Sequence, residues 1–186
     1  MRARAEQPDM SSNEDLDRIA EEARGFLTRF KTLLIATVNP DGVPLASYAP
    51  FVRQKDHCFY IYVSELSRHT RDLDATAVAS VLFIEDERDT NQLFARKRLI
   101  FDCRAELIAR DSEEWREILN NFAETFGDVL DLLKPLADFK MFRLRPAEGM
   151  YVGGFGKAYR FTGAVPTGLK HIRESPGTRS KIQDTS

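Results

Sequence analysis

Apolar positions along the chain change their spacing several times, and each change marks an element. To about Asn13 large apolar groups are scarce and carboxylates frequent, which predicts a disordered start over residues 1–13. Leu16, Ile19, Ala20, Ala23 and Leu27 then recur in steps of three and four, the spacing of a helix reaching Arg29. Ser12 or Asn13 is its expected cap, with Ser12 and Asp15 approximating a capping box. Residues 32–39 switch to a continuous β-prone run. The turn Asn39-Pro40-Asp41-Gly42 leads into a second strand over 45–53, a hairpin with a loop longer than two residues. Residues 58–64 are dense in aromatic and β-branched groups and read as a third strand.

A short helix follows, with Ser67 its cap, and residues 78–85 and 98–108 make two more strands. Asp111-Ser112-Glu113-Glu114 opens a helix whose apolar face is Trp115, Ile118, Leu119, Phe122 and Phe126. Gly127 ends it, and residues 129–133 extend a second segment up to Pro135. Residues 139–145 and 150–152 read as two strands split by a turn at Pro146-Ala147-Glu148-Gly149. From Gly163 onward Gly, Pro, Ser and Thr accumulate, which predicts a flexible tail over 163–186. Six or seven antiparallel strands with helices at the front, middle and edge imply an α+β fold, a small barrel over residues 14–162.

Length and charge narrow the function. The 186 residues allow one domain with tails, and 42% apolar with 30% charged residues is the balance of a soluble globular protein. Lys and Arg number 27 against 29 Asp and Glu, which argues against a general nucleic-acid coat or a polybasic membrane binder. No run approaches the roughly 18 apolar residues of a membrane span, and the start lacks the apolar core of a secretory signal. Two cysteines, Cys58 and Cys103, make neither a disulfide framework nor a cysteine zinc site, so a reducing cytoplasm is expected.

The chain carries no GxGxxG after an early strand, no GxxxxGK[ST], no HExxH and no GxSxG. What it does carry is a set of anion-binding features. Ser64, Arg68, His69 and Thr70 follow an apolar strand and open a helix, where hydroxyls, cations and free N–H groups surround a phosphate or carboxylate. The plain reading of the same residues is a capped helix with a solvated basic face. Arg96-Lys97-Arg98 precedes a strand, and alternation sends Lys97 to one face and the two arginines to the other, where they can clamp a dianion. Gly153-Gly154-Phe155-Gly156 lets backbone approach a flat ligand, with Phe155, Tyr151 and Tyr159 available to stack; a β-bulge or barrel corner explains the glycines equally well. His171 is the tail's histidine and a candidate metal ligand. These features describe a groove for a flat dianion, and residue types alone leave flavin mononucleotide (FMN) and haem both open.

Ser47-Tyr48-Ala49-Pro50-Phe51, Arg68-His69, Gln92-Leu93-Phe94-Ala95-Arg96-Lys97-Arg98-Leu99, Arg110-Asp111-Ser112 with Trp115, and Gly154-Phe155-Gly156-Lys157-Ala158-Tyr159 together resemble the HutZ/HugZ haem-utilisation family. That family belongs to the FMN-binding split-barrel superfamily, related to pyridoxamine 5'-phosphate oxidase. The resemblance, over residues 31–161, implies a split β-barrel of antiparallel strands with peripheral helices, and a homodimer with its ligand between subunits. It implies haem binding and, in some members, oxygen-dependent haem cleavage with an electron donor the sequence does not identify. On that pattern Arg98 and His69 line the haem region, Arg68 and Lys97 hold propionates, and Asp138 orients the iron-ligating histidine of the partner. The family's ligating histidine lies in a Gly-His-Arg tail, where this chain has Gly177-Thr178-Arg179, which leaves His171 as the candidate ligand. Two alternatives stay beside this reading. One is an FMN-dependent oxidoreductase using Ser64, Arg68, Thr70 and Arg98 for the phosphate, and the other is a non-catalytic haem carrier or storage dimer.

Overall fold

The structure, a computed structural model, describes residues 10–172, so the expectations for residues 1–9 and for Gly177-Thr178-Arg179 lie outside the described residues. In chain order the elements are α1 (Met10–Leu27), β1 (Thr32–Val38), β2 (Pro44–Arg53), β3 (Phe59–Ser64), α2 (Arg68–Thr76) and β4 (Val78–Ile84). After two 3-10 turns come β5 (Arg98–Ile108), α3 (Glu113–Phe126), α4 (Val129–Leu133), β6 (Phe139–Gly154), β7 (Lys157–Thr162) and β8 (Lys170–His171). The sheet runs β3-β2-β1-β4-β5-β6-β7-β8, and a further β3–β6 pairing closes its first six strands into a barrel. Neighbouring strands are antiparallel throughout.

Local chemistry explains most of the boundaries. At the first hairpin Gly42 adopts φ +81° and donates to the Asn39 carbonyl at 2.9 Å, while Asn39 Oδ1 accepts from Val43 N–H at 2.8 Å. Ser112 Oγ accepts from Trp115 N–H at 3.1 Å to cap α3, and Gly127 at φ +71° ends it. Strand β3 is buried on both faces, which explains its unbroken apolar run. Its Phe59, Ile61 and Val63 join the barrel core, and Tyr60 and Tyr62 meet Trp115, Ile118 and Phe122 of α3 outside it. Inside the barrel Phe51, Phe59, Phe83 and Phe101 pack with ring centroids 5.2 to 5.6 Å apart from at least one neighbour, and Phe161 stands 5.6 Å from Phe101. Helix α1 joins that core through Ala20, Ala23, Phe26 and Leu27.

Three expectations are corrected. Helix α1 starts at Met10, so Ser12 and Asn13 lie within it rather than capping it, and order begins earlier than residue 14. The two strands expected around Pro146–Gly149 are one strand of 16 residues. Pro146 has no N–H and breaks the pattern in sequence, yet it sits at a register shift opposite Cys103, where the ladder tolerates its loss. Past Ala147 the free edge of β6 passes from β3 to β7. Order also continues beyond residue 162, because Leu169 is buried and β8 pairs with β7.

Gly149 lies close against the ring of Phe161, and a Cβ built there would stand only 2.1 Å from Phe161 Cζ. Gly149→Ala is therefore expected to lower stability by about 1–3 kcal/mol. Gly25→Ala, in α1 with nothing within 4 Å of the added carbon, should raise it by roughly 0.5–1 kcal/mol. Urea unfolding of the two variants checks both signs.

Candidate functional site

The residues singled out by sequence form two clusters. The first lies where β3 runs into α2. Ser64 Oγ donates to Asp138 Oδ2 at 2.6 Å and accepts from Leu66 N–H at 3.1 Å, while Glu65 N–H donates to the Asp138 carbonyl at 2.8 Å. Thr70 is fully buried and its hydroxyl donates to the Ser64 carbonyl at 2.7 Å. Ser67 occupies the cap position of α2, but its side chain makes no capping bond. Arg68 leans on Asp72 at 3.8 Å and donates to the Val43 carbonyl at 3.3 Å. Asp72 in turn accepts from Thr37 Oγ1 at 2.8 Å. Both hydroxyl protons are committed within the chain, one of them to a carboxylate.

His69 is the distinctive member of this cluster. It is 7% exposed, its Nδ1 meets Ser47 Oγ at 3.0 Å, and its buried Nε2 has no hydrogen-bond partner. Burial holds the imidazole below its ordinary value, against the pull of Asp72, so the ring is neutral at pH 7. Asp138 is half-buried and has Oδ1 unengaged by any described hydrogen bond.

The second cluster lies at the start of β5 and the β6–β7 hairpin. Arg96 does not join Arg98 in a clamp. It stands before the strand, donates to the Glu85 carbonyl through Nε at 3.0 Å and pairs with Glu87 at 3.2 Å. Lys97 turns to the α1 side and pairs with Glu22 at 2.5 Å. Arg98 is half-buried and, among the described residues, makes one side-chain hydrogen bond, from Nη1 to the Arg96 carbonyl at 3.2 Å. Gly156, at φ +70°, closes a two-residue loop between Gly154 and Lys157 and presents Phe155 at its tip, 83% exposed. His171 is not on a loose tail: in β8 it lies opposite Tyr159, with its ring 5.0 Å away edge-on, and Nε2 donates to the Gly156 carbonyl at 2.8 Å. A carbonyl only accepts, so Nε2 carries the proton and the lone pair is on Nδ1.

One chain does not unite these clusters. Ser64 pairs with Phe139 at the first residue of β6, and Arg98 with Val152 near its last. Sixteen residues of extended strand cover roughly 50 Å of path. Between the two ends, on the outer face, Tyr48, Leu34, Leu82, Ile100 and Met150 are lateral neighbours across five strands. Tyr48 is 65% and Leu34 44% exposed.

The pattern of the pyridoxamine 5'-phosphate oxidase family matches residues 19–153, from within α1 to the end of β6. The chain belongs to this family. Within it, the chain is a homologue of "Heme oxygenase HutZ" of Vibrio cholerae, 41% identical over 157 residues that span 84% of this chain and 89% of HutZ. A crystal structure of HutZ, described as the haem storage protein from that organism, superposes with TM-score 0.68 over 72% of this chain and 94% of HutZ. Campylobacter jejuni ChuZ superposes with TM-score 0.74 at 29% identity, over 84% of this chain and 63% of ChuZ. The split-barrel fold expected from the pyridoxamine 5'-phosphate oxidase resemblance is thus the fold observed.

Sequence reading missed Ser47 as the partner of His69, and Asp72 and Thr37 as the buried polar pair beside it. No spacing rule links residues that far apart. It also passed over the Tyr151 hydroxyl, buried and without a hydrogen-bond partner, because a tyrosine in a strand reads as core.

The neutral His69 makes stability depend on pH. Its folded pKa lies below the unfolded value of 6.5, so the unfolded chain binds the proton first. The stabilising contribution is complete above about 6.5 and is lost as pH falls below it. The melting temperature should drop more steeply between pH 7 and 5 in the parent protein than in His69→Gln; equal slopes would remove His69 from the account.

Proposed function

We propose that the protein binds haem in a site completed by two copies of the chain, and that it acts in haem utilisation by oxygen-dependent opening of the ring. The observation that carries this reading is the division of the site residues between the two ends of β6, in a chain 41% identical to a haem oxygenase. A second copy laid antiparallel on the outer face would bring the Asp138 end of one protomer to the Arg98 end of the other. The row from Tyr48 to Met150 supplies the apolar contact such a pairing requires.

Bound haem would supply the redox-active iron and the conjugated ring that oxygen attacks. Each protein group has a role fitted to what it has free. The remaining nitrogens of Arg98 would hold a propionate. His171 of the partner subunit would offer its ring to the iron, and the open Oδ1 of Asp138 would accept the other N–H of that ring, fixing its orientation and raising its basicity. Ligation through Nε2 requires release of the Gly156 carbonyl and a proton on Nδ1 instead, from which Asp138 can accept a hydrogen bond. His69, neutral and buried with Nε2 unpaired, keeps a second cation out of this region. An FMN phosphate would have to settle beside the Asp138 carboxylate, against hydroxyls that already donate elsewhere, so haem is preferred to flavin. No helix among the described residues is long and apolar enough to cross a membrane. Both thiols are buried, and burial raises the Cys58 pKa to about 11, which suits the cytoplasm this reading assumes.

Haemin titration of the apoprotein should give a shifted Soret band, and ascorbate in air should then bleach it. A shifted band that persists under those conditions would instead identify a carrier. Asp138→Asn should weaken iron ligation by about 10–100-fold without changing the melting temperature greatly. Leu82→Glu should yield monomers on gel filtration and lose haem together with the dimer. A Leu82→Glu monomer that binds haem with unchanged affinity would exclude the shared site.

A further inference from the structure

Asp138 lies in the run of turns between α4 and β6, where most of the carbonyls are taken by groups from elsewhere in the chain. The Leu133 carbonyl accepts from the Tyr62 hydroxyl at 3.4 Å, and the Asp138 carbonyl from Glu65 N–H at 2.8 Å. Four others belong to one side chain. Arg110 donates through Nη2 to the Lys134 carbonyl at 3.2 Å. Through Nη1 it donates to the carbonyls of Leu136 and Phe139, each at 3.2 Å, and of Ala137 at 3.4 Å.

Arg110 is itself held by its neighbours. It follows β5 in a turn where Ser112 N–H donates to the Ala109 carbonyl at 3.2 Å. Its guanidinium carbon stands 5.4 Å from the centroid of the buried Trp115 ring, which steadies the cation from below. Among the described residues no carboxylate pairs with it, so its donors go to the loop. Only a guanidinium can serve four carbonyls in this way, because its N–H groups fan out in a fixed plane, whereas an ammonium is a single point. The Arg110-Asp111-Ser112 string with Trp115 thus fixes a backbone segment far downstream of it. Ser64 holds one oxygen of the Asp138 carboxylate at 2.6 Å, and that bond directs the other oxygen only if the backbone carrying Asp138 is fixed as well.

We infer that Arg110 is a positioning residue: by holding the backbone over residues 134–139 it sets where Asp138 Oδ1 points, and so how firmly Asp138 orients the histidine offered by the partner subunit. The inference rests on the haem reading above and adds to it a residue that acts through Asp138.

Arg110→Gln and Arg110→Lys, made in the full chain, test it. In the apoprotein, hydrogen–deuterium exchange over residues 136–139 and at the Glu65 amide should quicken in both variants, while the barrel strands exchange as in the parent. Haemin titration should show affinity about ten-fold weaker in Arg110→Gln. The iron–histidine stretching band of the ferrous complex should move in the same direction as Asp138→Asn moves it. Arg110→Lys keeps the charge without the fork, and should melt close to the parent yet shift that band. In the Asp138→Asn background Arg110→Gln should cost no further affinity, because the two residues act along one route. Quickened exchange with affinity and band unchanged would make Arg110 structural only and overturn the inference, as would unchanged exchange or additive losses. A parent that gives no shifted Soret band is a separate result, which overturns the haem reading and this inference with it before any variant is compared.

Discussion

The continuity of β6 is the constraint on which the rest of the structure depends. Its first half pairs with β3 and closes the barrel, and its second half pairs with β7 and leaves it. A strand that changes partner needs a place where the ladder can lapse, and Pro146 with the register shift at Asp102–Cys103 supplies it. Gly149 then leaves room for the Phe161 ring, which carries β7 into the core. The same strand carries the Asp138 cluster and the Arg98 cluster to opposite ends, so a fold that is complete in one chain holds a site that is not.

Cations abundant in the sequence are mostly consumed within the fold. Arg68 serves Asp72, Arg96 serves Glu85 and Glu87, and Lys97 serves Glu22. Arg143 lies between Glu106 and Glu114 and also donates to the Tyr60 hydroxyl at 3.0 Å, and Glu106 is shared with Arg145. These carboxylates and the hydroxyl hold the Arg143 guanidinium firmly charged although burial opposes it. Such pairs orient side chains more than they stabilise the protein where they are exposed. They also remove donors from circulation, which is why Arg98, with a single internal bond, stands out from its neighbours.

Burial sorts the polar groups that remain. His69 and Tyr151 are both enclosed and both keep one polar atom without a partner. Most buried polar atoms in proteins are satisfied; among the described residues four buried side-chain atoms are not, Arg53 Nε and Gln54 Nε2 besides these two. His171 differs from both. It is exposed, but β8 pairing and the Gly156 carbonyl fix its ring, so a residue expected on a loose tail is presented by the sheet edge.

The sequence by itself determined what local chemistry can determine. Periodicity and end signals located the start of α2, and α3, α4 and five of the strands to within about a residue, because caps such as Ser112, stops such as Gly127 and the Asn39–Gly42 turn act over a few residues. The motif resemblance likewise led to the family, since strings around Arg98 and Gly156 are short and contiguous. Only the tertiary structure decided the rest. Pro146 reads as a break until its pairing partners are known, Ser64 reads as a phosphate ligand until Asp138 arrives from far along the chain, and His171 reads as free until β7 binds it. Each of these depends on hydrogen bonds and ion pairs between distant residues, which no local pattern encodes.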